Sequence, residues 1–200
     1  MKYTQTENEI ILASKSKVRK DILQQNNINC KVVASNLDEE PIKKSLLKEG
    51  ASPELVSKNL AEIKATKVSS LNPNLIVLGA DSVIDFENKI ISKPRNREEA
   101  LEILKTLNGK EHFLISSVSI AKNGSMIWNY TEKAKLTMKK FNIQELTDYL
   151  SKISDHALYS YNVYQIEGEG KHLFSSIEGD KNTIMGLPIK KIKQYLEQII

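Results

Sequence analysis

The chain has 200 residues, of which 40% are hydrophobic and 27% are charged, and its formal net charge is +4. This composition is typical of a soluble globular protein, and the length suffices for a core that needs no disulfide or metal. No apolar run approaches the roughly 20 residues of a membrane span. The single cysteine, Cys30, excludes an internal disulfide and favours the cytoplasm. Polynucleotide binding is not expected from the charge, because nearly all the basic residues are lysines rather than arginines.

The first predicted elements are a strand and a helix joined by a polar turn. Residues 10–13 have the apolar character of a buried strand, and residues 18–23 begin an apolar pattern at helical spacing. The turn carries Ser14 and Ser16, and Arg19 follows in the helix. Free backbone N–H groups and the positive end of the helix dipole would meet there, which indicates an anion site, most often for phosphate. A serine-capped surface helix is the simpler interpretation of the spacing alone.

Apolar periodicity predicts that further strands and helices alternate, which is typical of an α/β or mixed α+β protein. We expect one domain over residues 1–200. The expected elements are a strand over 29–34, an acidic loop over 35–41, a helix that begins at Ser52-Pro53, a buried strand over 75–80, a hairpin over 83–91, a helix capped by Asn96, a long hairpin over 113–138 that turns at Asn123-Gly124, a helix over 143–150, a strand over 172–177 and a terminal helix that buries Ile189, Ile192, Leu196 and Ile199.

Asp81 is the first candidate for chemistry. It directly follows an apolar run, and the carboxyl ends of strands in open α/β sheets are where ligands bind. An aspartate that only caps the next turn is an equal alternative on the residues alone. Asp38, Glu39 and Glu40 form a second acidic cluster, for which a solvated loop is the simpler interpretation. If the two acidic elements converge, their oxygens can hold a divalent cation together with substrate phosphates.

Two lysines are basic candidates. Lys64 does not lie on the most exposed face of its predicted helix, and Lys93 is fixed before Pro94. Either residue can also be an ordinary surface lysine. The chain has no glycine-rich phosphate loop, zinc signature or Ser-His-Asp signature, so these residues cannot be placed in a common phosphate-binding or hydrolytic motif.

Eight short motifs follow one another along nearly the whole chain. They are residues 12–19 (LASKSKVR), 38–39 (DE), 60–65 (LAEIKA), 79–82 (GADS), 93–100 (KPRNREEA), 109–112 (GKEH), 162–168 (NVYQIEG) and 186–188 (GLP). Each motif is weak by itself, but in this order they resemble the Maf-type nucleoside triphosphate pyrophosphatase family, also called septum-formation inhibitor-like proteins.

The resemblance implies a mixed α/β fold similar to inosine triphosphatases, with an elongated central sheet flanked by helices and two lobes around an active cleft. It implies hydrolysis of a nucleoside triphosphate to a monophosphate and pyrophosphate with Mg²⁺ or Mn²⁺, in a house-cleaning role. The alternative is a non-catalytic, nucleotide-binding regulator of septum formation. The resemblance is compatible with a homodimer, and no polynucleotide or membrane partner is expected.

The resemblance also implies roles for particular residues. Asp81 would be the catalytic general base or a metal ligand, and Glu39 would assist with the metal. The phosphates would be held by residues of three of these motifs, namely Ser14, Ser16, Arg19, Lys64 and Lys93.

Val18, Ser82 and Glu167 occupy positions that resemble those that sort substrates in the family. The branch that acts on dTTP and UTP usually has Arg, Thr and Gln there, and the 7-methyl-GTP branch has an aromatic residue, Gln and Glu. This chain matches neither branch, and Lys17 also replaces a family proline. Because a carboxylate can accept from the N1–H and N2–H₂ groups of guanine, Glu167 favours a purine or modified base.

Overall fold

The computed structural model describes residues 9–155, 157–158 and 163–199, so Asn162 of the seventh motif lies outside the described residues. The strands are β1 Ile10–Leu12, β2 Cys30–Val32, β3 Val77–Phe86, β4 Lys89–Ile91, β5 Glu111–Lys122, β6 Ser125–Met138 and β7 Phe174–Glu178. The helices are α1 Lys17–Gln25, α2 Glu39–Lys48, α3 Pro53–Ser70, α4 Arg97–Leu107, α5 Ile143–Lys152, α6 Lys181–Ile184 and α7 Ile189–Ile199, and a 3₁₀ helix spans Glu169–Leu173. Within the described ranges, no helix combines the length and the apolar character needed to cross a bilayer.

The strands form one mixed sheet. Their order among the described residues is β2-β1-β3-β5-β6-β7, and β4 pairs with β3. Strand β1 is parallel to both neighbours, with Ile11 opposite Lys31 on β2 and Val77 on β3. The β3–β4 and β6–β7 pairs are antiparallel. The expected mixed α/β fold with a central sheet is therefore confirmed.

Described residues up to Ser82, Ile115–Glu132 and those from Asp180 onward form a first compact unit, and Val83–Leu114 and Lys133–Gly179 form a second. In the first unit the strands β1, β3 and β5 are buried on both faces of the sheet, and their successive side chains point to opposite sides. One face packs against α1 and α7, and its cluster includes Leu12, Leu78, Ile120, Leu23 and Ile192. The other face packs against α3, and its cluster includes Ile11, Ala13, Val77 and Val68.

Helix α3 approaches β3 very closely at Gly79. A Cβ atom on this residue would lie 2.3 Å from the carbonyl oxygen of Ala61 and 2.6 Å from the backbone nitrogen of Ala65. Since Cβ atoms in proteins do not approach other heavy atoms closer than 3.0 Å, only glycine permits this spacing. The close approach allows Lys64 on α3 to reach β3.

Asp81 lies inside a strand rather than at its end. The predicted strand over 75–80 is too short, because β3 continues to Phe86 as one ten-residue strand. The hairpin turn that follows has left-handed backbone at Glu87 and Asn88, with φ of 52° and 60°, as a two-residue hairpin requires. The apolar run indicated a break at Ala80, but Asp81 and Asp85 are buried within the same strand.

The predicted acidic loop over 35–41 is wrong from Glu39 onward, where α2 begins. Acidic residues in the first turn interact favourably with the helix dipole, and Pro41 is tolerated there because the first N–H groups of a helix have no intrahelical partner. Two smaller predictions also fail. Ile199 is 41% exposed, and β7 starts at Phe174 rather than at residue 172 because the 3₁₀ helix extends to Leu173.

His112 is a buried histidine in the second unit. Its Nε2 atom lies 2.9 Å from the hydroxyl of Tyr164, and its Nδ1 atom has no hydrogen-bond partner among the described residues. Burial lowers the pKa of His112 from 6.5 to about 4. A charged imidazole is therefore strongly disfavoured in the folded protein.

We expect His112 to make folding sensitive to acid. An unfolded histidine titrates near 6.5, so below that pH the unfolded chain binds the proton more readily than the folded one. The contribution of neutral His112 to the free energy of unfolding is complete above about pH 6.5. This free energy falls by up to about 3 kcal/mol as the pH is lowered toward 4. Urea unfolding at pH 7 and pH 4.5 measures this loss. His112→Phe should flatten the pH dependence, whereas His172→Phe, at an exposed histidine, should retain it. If the free energy of unfolding depends equally on pH in both variants, His112 is not the cause of the acid sensitivity.

Candidate active site

The ammonium group of Lys64 joins two carboxylates in the first unit. Its Nζ atom lies 2.8 Å from Oδ1 of Asp81 on β3 and 2.9 Å from Oε1 of Glu39 in the first turn of α2. The side chains of Lys64 and Asp81 are only 8% and 7% exposed, whereas that of Glu39 is 36% exposed. One lysine side chain thus contacts two carboxylates in a largely buried place.

The second oxygen of the Asp81 carboxylate is unused. Oδ2 is buried and has no hydrogen-bond partner among the described residues, although the backbone carbonyl of Asp81 accepts a hydrogen bond from Ser57 Oγ at 3.2 Å. A buried carboxylate oxygen without a partner is costly, so a proton donor or a cation is expected there.

The donor set suits a divalent cation. Asp81 and Glu39 offer hard carboxylate oxygens, and Mg²⁺ is commonly bound by one or two carboxylates together with substrate phosphates. In the part of the chain that the structure describes, His, Cys, Asp and Glu form no group of three or more that could hold a metal alone. A cation at this place would therefore depend on ligands from the substrate.

The Glu39 carboxyl is tuned by two opposing effects. Burial raises its pKa, but the neighbouring charge and hydrogen bond of Lys64, with smaller effects from Lys43 and Arg19, outweigh burial. The pKa of Glu39 consequently lies below its ordinary value. Glu39 is ionised at neutral pH and available as a ligand or charge partner.

Arg19 lies in the first unit and is bound by four protein acceptors. Its Nε atom donates to the carbonyl of Gly186 at 2.9 Å, and Nη2 donates to Ser82 Oγ at 3.0 Å. Its Nη1 atom donates to the carbonyl of Ala80 at 3.0 Å and to Ser14 Oγ at 3.3 Å. Since side chains alternate along β3, Ser82 points to the face opposite Asp81.

The charge of Arg19 persists in this setting. Burial lowers the pKa of the Arg19 guanidinium, while the charges of Asp81 and Glu39 act in the opposite direction. An arginine remains protonated under such conditions. Arg19 is therefore a fixed positive charge close to the lysine-bridged carboxylates.

The two serines of the first motif are organised by α1. Ser16 is the N-cap residue, and its Oγ accepts from the backbone N–H of Arg19 at 3.4 Å. Ser14 Oγ accepts from the N–H of Ser16 at 3.2 Å as well as from Arg19. Because both acceptor positions of Ser14 Oγ are filled, its hydroxyl proton is the group that remains for a ligand. The serine cap is confirmed, and anion binding stays a prediction.

The other predicted site residues are placed as follows. Val18 packs against the hydrophobic core of the first unit. Lys93 and Glu167 are exposed residues of the second unit, and their roles stay predictions. The structure thus brings Glu39, Lys64 and Asp81 into direct contact.

Several buried polar residues were missed by sequence reasoning, among them Ser116, Thr183 and Asp85. Ser116 and Thr183 are fully buried and hydrogen-bonded in the first unit, and Asp85 in the second unit is buried with Oδ1 unpartnered among the described residues. The available signal was a polar residue inside an apolar strand, since buried polar groups must find partners. Ser116 and Asp85 both carried that signal.

The fold and these contacts define a mixed α/β protein with a lysine-bridged carboxylate pair and a serine-capped helix N-terminus in one unit. The chain belongs to the family described as Maf-like protein, whose model matches residues 9–199. The resemblance drawn from the eight motifs is thereby confirmed.

Similar proteins support the same assignment. A nucleoside triphosphate pyrophosphatase of Pelagibacter ubique (strain HTCC1062) is 67% identical over 191 residues, which cover 96% of this chain and 98% of the relative. A 7-methyl-GTP pyrophosphatase of Brucella abortus biovar 1 (strain 9-941) is 36% identical, with 90% of this chain and 91% of the relative covered. Among solved structures, a HAM1 protein from Coxiella burnetii matches with a TM-score of 0.56 and 13% identity, covering 96% of this chain and all of the other. At this identity the likeness shows the fold alone.

Proposed function

We propose that this chain is a nucleoside triphosphate pyrophosphatase. It hydrolyses the anhydride bond between the α- and β-phosphates and yields a nucleoside monophosphate and pyrophosphate. The observation that carries the proposal is the buried, unpartnered Oδ2 atom of Asp81, held beside Lys64 and Glu39. The name and 67% identity of the Pelagibacter ubique relative support the same activity.

Asp81 performs one of two tasks in this proposal. Its Oδ2 atom accepts a proton from the attacking water, or it is a ligand of the divalent cation. In the hydrolysis, the water oxygen bonds to the α-phosphorus, the bond to the bridging oxygen breaks, and pyrophosphate leaves with the electron pair. Lys64 holds Oδ1 at 2.8 Å and so keeps Oδ2 directed away from the ammonium. Such fixed charges supply much of the catalysis in phosphoryl transfer.

Mg²⁺ or Mn²⁺ would be held by Asp81 and Glu39, with the remaining ligands from substrate phosphates and water. The bound cation would neutralise charge on the polyphosphate. Around it, the hydroxyl protons of Ser14 and Ser16 and the charge of Arg19 bind phosphate oxygens.

The most detailed part of the proposal is the identity of the nucleobase in the substrate. Val18 has no polar group to offer a base, and the carboxylate of Glu167 accepts hydrogen bonds only. The Glu167 carboxylate favours a base edge that presents donors, as guanine does. The 36% identity to a 7-methyl-GTP pyrophosphatase also supports a purine nucleotide as the substrate.

Pyrophosphate release from a panel of dTTP, UTP, GTP and 7-methyl-GTP, with Mg²⁺ or Mn²⁺, tests the function. We expect equal amounts of monophosphate and pyrophosphate from at least one nucleotide. Glu167→Gln should shift the preference from guanine-type toward uracil-type nucleotides, because the amide adds a donor, whereas Glu169→Gln, at an exposed neighbour, should not. An unchanged ranking would refute the role of Glu167.

The alternative, a non-catalytic regulator of septum formation, is not favoured. A protein that only binds nucleotide needs no catalytic general base such as Asp81. Lack of turnover of every triphosphate by the metal-loaded protein would revive it. We further propose a house-cleaning role and a cytoplasmic location, and a homodimer on the family resemblance alone.

A further inference from the structure

A chain of hydrogen bonds extends from Arg19 through the first unit. Arg19 donates to Ser82, and the Oγ atoms of Ser82 and Ser116 are 2.9 Å apart. Ser116 Oγ donates to the backbone carbonyl of Thr183 at 2.7 Å, and the Thr183 hydroxyl donates to the carboxylate of Glu132. The chain links α1, β3, β5, α6 and β6.

The direction of each bond is fixed. A carbonyl oxygen can only accept, so the single hydroxyl proton of Ser116 is committed to Thr183. Ser116 Oγ must then accept the proton of Ser82, and Ser82 Oγ accepts from Arg19. No hydroxyl in this sequence of bonds is free to turn.

Burial and close packing favour this arrangement. Ser116 and Thr183 are completely buried, and a hydroxyl inside a buried strand is costly unless it is bonded. A Cβ atom on Gly186 would lie 3.0 Å from Ser82 Oγ and 3.3 Å from Nε and Nη2 of Arg19. Packing and hydrogen bonds therefore hold Arg19 in one plane.

We infer that Ser116 is a positioning residue of the phosphate-binding site, acting on Arg19 through Ser82. A guanidinium has five N–H donors, and the protein takes four of those of Arg19. The fifth, on Nη2, is the one left for a phosphate oxygen, so Arg19 contacts phosphate through a single donor rather than a two-pronged fork. The bond from Nη2 to Ser82 sets the direction of this remaining N–H group. The inference rests on the proposed function.

The test measures pyrophosphate binding and triphosphate hydrolysis in matched serine variants. Ser116→Ala breaks the chain of hydrogen bonds, Ser116→Cys does so with little change of volume, and Ser116→Thr keeps a hydroxyl. Ser119→Ala is the control, because Ser119 is equally buried on β5 but takes no part in this series of hydrogen bonds. It makes one long hydrogen bond of 3.5 Å to the carbonyl of Trp128.

We expect Ser116→Ala and Ser116→Cys to weaken pyrophosphate binding and to lower kcat/KM on the order of 10- to 100-fold. Ser116→Thr should restore most of the pyrophosphate binding and of kcat/KM. Ser119→Ala should match the unchanged protein in both quantities and in its thermal unfolding midpoint. Wild-type binding in both Ser116→Ala and Ser116→Cys, or equal impairment in Ser119→Ala, overturns the inference. If the unchanged protein binds pyrophosphate without hydrolysing triphosphates, the proposed function fails while the binding comparison still decides the role of Ser116. If it binds no pyrophosphate, the inference falls.

Discussion

Asp81→Asn should lower kcat for pyrophosphate release by about 10³-fold. Asparagine retains an oxygen that accepts from Lys64, but it places an amide NH₂ group where Oδ2 lies. This group can neither accept a proton from water nor bind a divalent cation. The variant should still fold, because Lys64 keeps its contact with Glu39 at 2.9 Å. Steady-state kinetics across the nucleotide panel measure the effect.

Asp85→Asn is the matched control for this experiment. It makes the same change at a buried carboxylate with an unpartnered oxygen on the same strand. We expect it to keep kcat within about threefold of the unchanged protein. Near-normal turnover in Asp81→Asn would remove Asp81 from the chemistry.

Gly79→Ala should reduce the free energy of unfolding by about 3 kcal/mol. The added Cβ would lie 2.3 Å from the carbonyl oxygen of Ala61, which belongs to the rigid backbone of α3. The helix must move outward, and the 2.8 Å contact between Lys64 and Asp81 lengthens as it does so. We therefore expect activity to fall together with stability. Urea unfolding measures the first effect, and pyrophosphate release measures the second.

Gly168→Ala provides the comparison for Gly79→Ala. A Cβ at Gly168 would meet no neighbour closer than 3.5 Å, so we expect a change below about 1 kcal/mol. If Gly79→Ala is as stable as Gly168→Ala, the close approach of α3 is not required for the fold.

Local signals predicted the boundaries of several elements correctly. Ser52 and Pro53 begin α3, Asn96 caps α4, and Asn123-Gly124 forms the turn between β5 and β6 with φ of 52° and 78°. Caps and tight turns depend on residues that are neighbours in the chain, so the sequence carries their determinants directly. These elements needed no tertiary information.

Two of the failed predictions took local polarity as the sign of a strand end or of a loop. The apolar run ended at Ala80, yet β3 continues through Asp81, because a buried carboxylate is tolerated where Lys64 compensates its charge. The acidic composition near Glu39 indicated a loop, yet this residue begins α2. At Asp81 the local polarity signal gave way to a partner that is distant in the sequence, whereas at Glu39 the acidic residues suit the first turn of a helix.

The sequence by itself determined the family, the order of most elements and the identity of Asp81, Lys64 and Glu39 as candidates, because motifs, caps and periodicity are local. Only the tertiary structure decided that Lys64 bridges the two carboxylates and that Arg19 uses four donors within the protein. These contacts join residues up to 167 positions apart. They depend on the spacing of α3 and β3 at Gly79 and on the pleat that sends Asp81 and Ser82 to opposite faces of one strand.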